Sequence, residues 1–174
     1  RVTIFKLLGV VFRSDLSWSS HVLYLLNKVS KRYYFIFQLV RAGLPSSDII
    51  AIYCSIIRSI LEYACPVWHS GLTTSQSADI ERVQRRCLKI IFPTLSYREA
   101  LQISDLEKLC TRRERFLRQL FNDMKDINHV LHSIVPTRLS QIKSTRNNYI
   151  YELPIAKTVR YSNSFVPYCI RKRY

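Results

Sequence analysis

Four basic residues of this chain have a spacing that suits phosphate binding. They are Arg82, Arg85, Arg86 and Lys89. At about 100° per residue, the turn of an α-helix, they fall within an arc of roughly 100° on one side. A row of cations of this kind can neutralise successive phosphates of a nucleic acid. We therefore expect a phosphate-binding face here, with an ordinary solvated helix face as the alternative.

A second basic cluster lies further along the chain. It consists of Arg112, Arg113 and Arg115, which fall within a predicted helix that also carries Lys108 and Arg118. Because phosphate contacts position a nucleic acid without reading its bases, clusters of this type are suited to sequence-tolerant binding. We predict that these three arginines form a second nucleic-acid-binding patch.

Catalytic and metal-binding patterns are weak by comparison. His129 and His132 have a spacing compatible with a shared metal ion, but no nearby cysteine or acid completes a four-ligand set. Cys65 and His69 would supply at most half of a zinc site. The sequence contains no glycine-rich phosphate loop and no aspartate pair suited to two magnesium ions. We predict no catalytic residue, no metal site and no cofactor in this chain.

The overall charge favours a polyanionic partner. The 174 residues include 27 Lys and Arg against 12 Asp and Glu, a formal net charge of +15. Nucleic acid is the first candidate for such a chain, and an anionic membrane surface is the second. The most apolar window, 49–61, is interrupted by Arg58 and is too short to cross a bilayer, so no membrane span is predicted.

The cysteines indicate a reducing compartment. There are five of them, an odd number, and no pair has the C-x-x-C spacing. Several fall on apolar faces of predicted helices, where a free thiol behaves as a small hydrophobic side chain. We therefore predict an intracellular protein, nuclear or cytoplasmic, without structural disulfides.

Three predicted helices position the first basic row. The row lies on a helix over 79–92, whose other face carries Ile80, Val83, Cys87, Leu88 and Ile91. Asp79 and Glu81 are placed in its first turn, after a polar loop over 73–77, and Pro93 ends it. Two earlier helices, one capped by Asp15 or Ser19 and running to about residue 41, and an almost wholly apolar one over 49–64, complete a compact bundle.

The two ends of the chain differ from this bundle. Residues 2–12 are predicted to form a single strand with a bulge at Gly9. After Pro93, a capping box from Ser96 to Glu99 begins a short helix, and a longer one follows over about 105–125. From residue 137 the periodicity fades, and basic residues alternate with Tyr149, Tyr151, Tyr161, Phe165 and Tyr168. This tail is expected to be extended. It either binds a nucleic-acid strand or packs on protein outside this chain.

Several phrases, in the same order, resemble a known family. They are KLLGV (6–10), DLSW (15–18), HV (21–22), AGLP (42–45), YCSIIRS (53–59), LEYACPVW (61–68), IERVQRR (80–86), YREAL (97–101), RRE (112–114) and SFVP (164–167). The set resembles the thumb and C-terminal region of reverse transcriptases from LINE-type (non-LTR, jockey-like) retrotransposons. It covers nearly the whole chain.

The resemblance implies a fold and a role. It implies a mainly α chain, with a strand leaving the palm (1–14), a three-helix thumb-like bundle (15–93), a helical extension (94–136) and a basic, aromatic tail (137–174). The family makes DNA on an RNA template, and its thumb grips the template–primer duplex. Its catalytic aspartates and their magnesium ions are expected upstream of this chain, so this part is not an enzyme alone.

The expected partners are an RNA–DNA hybrid or duplex and the palm and fingers of the parent protein, with no membrane. A non-catalytic interaction or scaffold module that docks acidic partners is the alternative.

Overall fold

The computed structural model describes residues 2–137, 151–152 and 155–174. Within them the chain forms a hairpin and a series of helices. The strands are β1 (Ile4–Leu7) and β2 (Val10–Arg13); the helices are α1 (Ser19–Ser30), α2 (Tyr33–Arg41), α3 (Ser46–Tyr53), α4 (Ser59–Glu62), α5 (Cys65–Trp68), α6 (Thr74–Ile91), α7 (Tyr97–Ile103), α8 (Leu109–Asp123), α9 (Val159–Ser162) and α10 (Phe165–Lys172). The predicted mainly α fold is confirmed.

The chain divides into two compact units. Unit 1 contains Arg1–Ala64 and Leu72–Arg112, and unit 2 contains Cys65–Gly71 and Arg113–Tyr174. The hairpin, α1 to α4, α6 and α7 therefore belong to one unit. This division follows other boundaries than the segments expected from the sequence, since the first segment, most of the second and part of the third share unit 1.

The N-terminal segment is a hairpin where the sequence predicted one strand. β1 and β2 pair antiparallel, with Leu7 opposite Val10. Leu8 and Gly9 form the turn, both with positive φ, which is the backbone form that tight hairpins prefer. Gly9 is thus a turn residue and not a bulge: its φ is +84°, and an added Cβ would lie 3.2 Å from Cε1 of Tyr63. The strand finds its partner within the chain.

The first long helix is broken into α1 and α2, so the prediction of one helix up to residue 41 is wrong. At the break, the Arg32 amide donates to the Val29 carbonyl at 2.8 Å, three residues back. The Arg32 guanidinium also donates to the carbonyl of Ile56, a contact that fixes the chain in this position. The predicted cap is corrected too: Asp15 accepts from the Ser17 amide, and Trp18 holds the cap position without a side-chain bond.

The apolar second helix starts earlier than predicted and contains a π-helical segment. Helix α3 continues through Cys54–Arg58 into α4, and Pro45 precedes it at the cap position. Its inner face is formed by Ile49, Tyr53, Ile57 and Leu61, all buried, whereas Ala51, Ser55 and Ser59 are exposed. The helix therefore buries one face instead of its whole circumference.

By length and composition alone, the segment Ser46–Gly71 is apolar enough to cross a membrane, and 28% of its most apolar stretch is buried. The helical run is interrupted, however, because Tyr63 has a ψ of 126° and Ala64 a φ of 51°. The unbroken part, from Ser46 to Glu62, is about 25 Å long, less than the roughly 30 Å hydrocarbon core of a bilayer. Within unit 1, this part packs through the buried face formed by Ile49, Tyr53, Ile57 and Leu61.

A buried amide links the helices of unit 1. Gln84 on α6 accepts a hydrogen bond from the Tyr53 hydroxyl at 2.8 Å. Its NH2 group donates to the Tyr97 hydroxyl at 3.0 Å and to the Glu107 carbonyl at 2.9 Å. Because Gln84 is fully buried, each of these bonds replaces a bond that water would otherwise make.

Unit 2 orders part of the tail that was predicted to be extended. Cys169 and Ile170 of α10 are buried against Phe121, with Tyr151 and Phe165 packed around them. The expectation of an extended tail is therefore wrong for α9 and α10. The tail residues Arg138, Lys143, Arg146 and Tyr149 lie outside the described residues. Helix α8 is also shorter than the predicted 105–125.

Replacing Gln84 should destabilise unit 1 strongly. In Gln84→Ala the Tyr53 hydroxyl and the Glu107 carbonyl lose their partner and a cavity remains, so we expect the unfolding free energy to fall by about 2 to 4 kcal/mol. Urea unfolding followed by circular dichroism measures this. The control is Gln102→Ala, an exposed glutamine on α7, with an expected change within about 0.5 kcal/mol. Equal midpoints for the two variants would contradict the role given to Gln84.

Candidate nucleic-acid interface

Helix α6 has the two faces that its sequence predicts. Ile80, Val83, Cys87, Leu88 and Ile91 are all buried, and the four predicted phosphate ligands are exposed. The helix is longer than predicted, because a capping box between Thr73 and Gln76 begins it at Thr74. The predicted loop over 73–77 is therefore wrong. Asp79 and Glu81 consequently lie beyond the first turn.

The exposed cations have more local partners than the sequence indicates. Arg82 Nη1 lies 2.8 Å from Oδ1 of Asp79, although 72% of the Arg82 side chain remains exposed. The guanidinium carbons of the next two cations lie over tyrosine rings: Arg85 is 5.0 Å from the Tyr97 centroid, and Arg86 is 4.5 Å from the Tyr33 centroid. Lys89 is exposed near the end of the helix.

These ring contacts orient two of the cations. The ring attracts the guanidinium cation, and the N–H groups that point away from the ring can still donate hydrogen bonds to a phosphate. Tyr33 and Tyr97 come from α2 and α7, on either side of α6 in sequence. The sequence predicts the spacing of the row but contains no local signal for these two rings.

Glu81 holds an inward position that sequence analysis missed. Its carboxylate accepts a hydrogen bond from the Tyr97 hydroxyl and bonds of 3.3 Å from the amides of Leu109 and Cys110. Those amides begin α8, where a negative charge complements the helix dipole. Burial, together with the bond to Glu81, raises the pKa of Tyr97. Glu81 therefore stabilises the fold instead of opposing the charge of the basic row.

The second predicted patch needs correction. Arg112 Nε lies 2.6 Å from Oε1 of Glu62, and only 24% of the Arg112 side chain is exposed. Arg113 is fully buried in unit 2, with its guanidinium 5.8 Å from the Trp68 ring. Arg115 is exposed and lies near the ring of Phe116. Arg113 therefore presents no group at the surface, and the three arginines do not form one exposed cluster.

A spacing signal for the burial of Arg113 was present in the sequence. Leu109, Arg113, Leu117 and Phe121 follow one another at four-residue steps, and all four are fully buried. Position 113 is thus on the apolar stripe of α8. Assigning every arginine of a helix to its outer face was the error.

Unit 2 holds a polar network around Glu114. Arg113 Nε donates to His69 Nδ1 at 3.2 Å, so the other ring nitrogen, Nε2, carries the proton and donates to Glu114 at 2.8 Å. The hydroxyls of Tyr168 and Tyr174 also donate to this carboxylate. Burial alone would raise the pKa of Glu114, but the bonds from His69, Tyr174 and Tyr168 lower it to about 2. Tyr168, expected either to bind a nucleic-acid strand or to pack on protein outside this chain, instead donates a hydrogen bond within unit 2.

The five cysteines are free thiols in this structure. Burial raises the pKa of Cys87 and of Cys169 to about 12, so both thiols are neutral near pH 7 and poorly suited to nucleophilic chemistry. The two histidines with metal-like spacing make local bonds, since His129 Nδ1 accepts from the Leu131 amide and His132 Nδ1 bonds to the Met124 carbonyl. Among the described residues, no three His, Cys, Asp or Glu side chains group as metal ligands.

Unit 1 also has a cavity that the sequence did not predict. It has a volume of about 320 Å³ and lies beside Gly9, Tyr24, Lys28 and Tyr63. Lys6 donates to the Tyr24 hydroxyl at 2.9 Å. Two cations, Lys6 and Lys28, therefore lie close to the cavity. The cavity depends on the hairpin turn, which is why a single-strand interpretation of residues 2–12 could not reveal it.

The chain matches no protein-family model, no curated protein and no solved structure.

Acid should weaken unit 2 through Glu114. Because the pKa of Glu114 lies below its ordinary value of 4.5 in the folded chain, the ionised form stabilises the fold above that pH, and this stabilisation is lost as the pH falls toward about 2. We expect Glu114→Gln to be less stable than the unaltered chain near pH 7 and to differ less from it near pH 3. Thermal unfolding at several pH values measures this.

The control for this experiment is Asp123→Asn, on the same helix and exposed. Its stability should follow that of the unaltered chain across the whole pH range. A Glu114→Gln profile parallel to that of the unaltered chain would contradict the assignment.

Proposed function

We propose that this chain is the thumb-like, nucleic-acid-binding part of an RNA-directed DNA polymerase of a LINE-type retrotransposon. It grips a template–primer duplex through its phosphates. The observation that carries the proposal is the exposed row of α6: residues 82–89 contain four cations and no acid, opposite a buried face. The resemblance of the sequence phrases to that family supports the same role.

The geometry of α6 suits a phosphate backbone. From Arg82 to Lys89 the row covers about 10 Å along the helix axis, the rise of about three nucleotides of one strand. Arg85 and Arg86 are held by rings from two other helices, and the apolar face anchors the helix in the unit. Such contacts fix the register of a duplex without reading its sequence. A polymerase that moves along its template needs contacts of this kind.

The chain's part in the reaction is to position, not to catalyse. In the family that it resembles, aspartates of the palm hold the magnesium ions for nucleotidyl transfer. The proposed partners are therefore an RNA–DNA hybrid or duplex and the palm and fingers of the parent polymerase. The proposed location is intracellular, in the nucleus or the cytoplasm. After the correction above, the proposed ligands are Arg82, Arg85, Arg86 and Lys89.

Neutralising the row should weaken binding and reduce its salt dependence. In the variant with Arg82, Arg85, Arg86 and Lys89 all changed to Gln, we expect the slope of log affinity against log salt to become shallower by about 3 to 4, because each lost phosphate contact removes about 0.9. Fluorescence anisotropy with a labelled RNA–DNA hybrid at several salt concentrations measures this.

A second variant distinguishes the effect of the row on binding from the effect of total charge. It changes Lys28, Lys108, Arg118 and Lys157 to Gln, four exposed cations on other parts of the chain, and so has the same net charge as the first. We expect it to keep most of the affinity and most of the slope. An equal loss in both variants would mean that only the total charge matters, and absent binding by the unaltered chain would contradict the proposal.

The exposed apolar residues of the hairpin favour a second candidate, a protein-interaction or scaffold module. Ile4, Phe5 and Leu7 of β1 are 49%, 50% and 55% exposed, an unusual number of large apolar groups on one short strand. Salt-insensitive or absent nucleic-acid binding, combined with tight binding to a separately prepared palm fragment, would favour this candidate over the first.

A further inference from the structure

Helix α2 exposes several aromatic side chains. Tyr34 is 70% exposed, Phe35 48% and Phe37 45%, while only Ile36 of the helix is buried. Stacking on unpaired bases is one use of such rings in nucleic-acid-binding proteins. A docked protein or a membrane surface is the other common reason for their exposure. Their position relative to the basic row distinguishes these uses.

Part of this aromatic surface continues directly from the basic row of α6. At about 100° per residue, Tyr33, Phe37, Arg41 and Tyr34 occupy one arc of roughly 100° on α2, and Phe35 lies on the other side of Ile36. Tyr33, at one edge of the arc, holds the Arg86 guanidinium 4.5 Å from its ring. The helices α2 and α6 pack on each other. The order from α6 outwards is therefore Arg86, Tyr33, Phe37 and then Arg41 with Tyr34.

The charge of this surface favours nucleic acid over an apolar partner. Helix α2 contains one cation, Arg41, and no acid, and the guanidinium carbon of Arg41 lies 5.9 Å from the Phe37 ring. Next to it, residues 82–89 add four further cations. Rings interleaved with cations suit a single strand, since phosphates lie against the charges while bases stack on the rings.

We propose that the arc of Tyr34 and Phe37 on α2 binds unpaired bases beside the duplex that α6 holds. The preferred ligand is thus a duplex with a single-stranded extension, and not a blunt duplex. The inference rests on the proposed function, because α6 must hold the duplex for the extension to reach α2. It adds a base-stacking surface that recognises the end of the paired region.

Three ligands test the inference: a blunt RNA–DNA hybrid, the same hybrid with an extension of about eight nucleotides, and the same hybrid with an abasic extension. The abasic strand keeps the phosphates and removes the bases. Since stacking of a base on an aromatic ring contributes appreciably to affinity, we expect the extension with bases to bind at least about fivefold tighter than the abasic one. In the double variant Tyr34→Ala, Phe37→Ala this preference should disappear, with blunt-duplex affinity within about twofold of the original.

Two matched variants complete the design. Phe35→Ala removes an equally exposed ring from the other side of the same helix and should keep the preference. The double variant Tyr34→Trp, Phe37→Trp keeps flat rings and should also keep the preference for bases. A loss in the alanine variant alone would then reflect lost stacking and not a less stable helix. Circular dichroism checks that all variants keep their helix content.

The possible results separate this inference from the function on which it rests. Binding of the blunt duplex with no gain from bases in the extension overturns the stacking surface and leaves the role of α6 intact. An equal loss in Phe35→Ala also overturns it. Absent binding of the blunt duplex contradicts the proposed function itself. Binding of anionic vesicles through Tyr34 and Phe37, without any preference for bases, would assign the arc to a membrane surface and overturn the inference.

Discussion

The packing of the apolar face of α6 is the constraint on which unit 1 depends. Helices α1, α2, α3 and α7 all contact α6, and its inner residues are almost completely buried. Packing of this density permits only one rotation of the helix about its axis, because any other would expose several methyl groups. The basic row lies opposite that face. Its outward position is therefore a consequence of the same burial that folds the unit.

Polar residues on the inner side of α6 also hold the helix at this rotation about its axis. Apolar packing alone tolerates exchange between similar side chains, whereas Gln84 has three bonds to satisfy and loses them if the helix slides or turns. Glu81, one turn earlier, bonds to Tyr97 and to the start of α8. Tyr97 is shared by both residues, and its ring also supports Arg85 on the outer side. Tyr97 therefore contributes both to the packing of unit 1 and to the position of Arg85.

Sequence patterns correctly predicted several features that depend only on neighbouring residues. The two faces of α6 follow from helical periodicity, and the capping box at Ser96 and Glu99 is confirmed because it needs only neighbouring residues. Two of the failures arose where a distant contact decides the structure. The helix break at Arg32 depends on the carbonyl of Ile56, and α10 forms against Phe121, which lies far away in the sequence. Neither contact leaves a periodic signal in the segment that it shapes.

Contacts with distant residues also determine which cations can bind a ligand. Arg32 donates to a backbone carbonyl, Arg112 pairs with Glu62 and Arg113 is buried in unit 2, so these three cations serve the fold. Arg85 and Arg86 differ, because each guanidinium lies beside an aromatic ring while its residue remains exposed. A supported guanidinium loses less side-chain entropy on binding than an unsupported lysine does. Net charge therefore indicates the class of partner, but the contacts of each cation decide where that partner can bind.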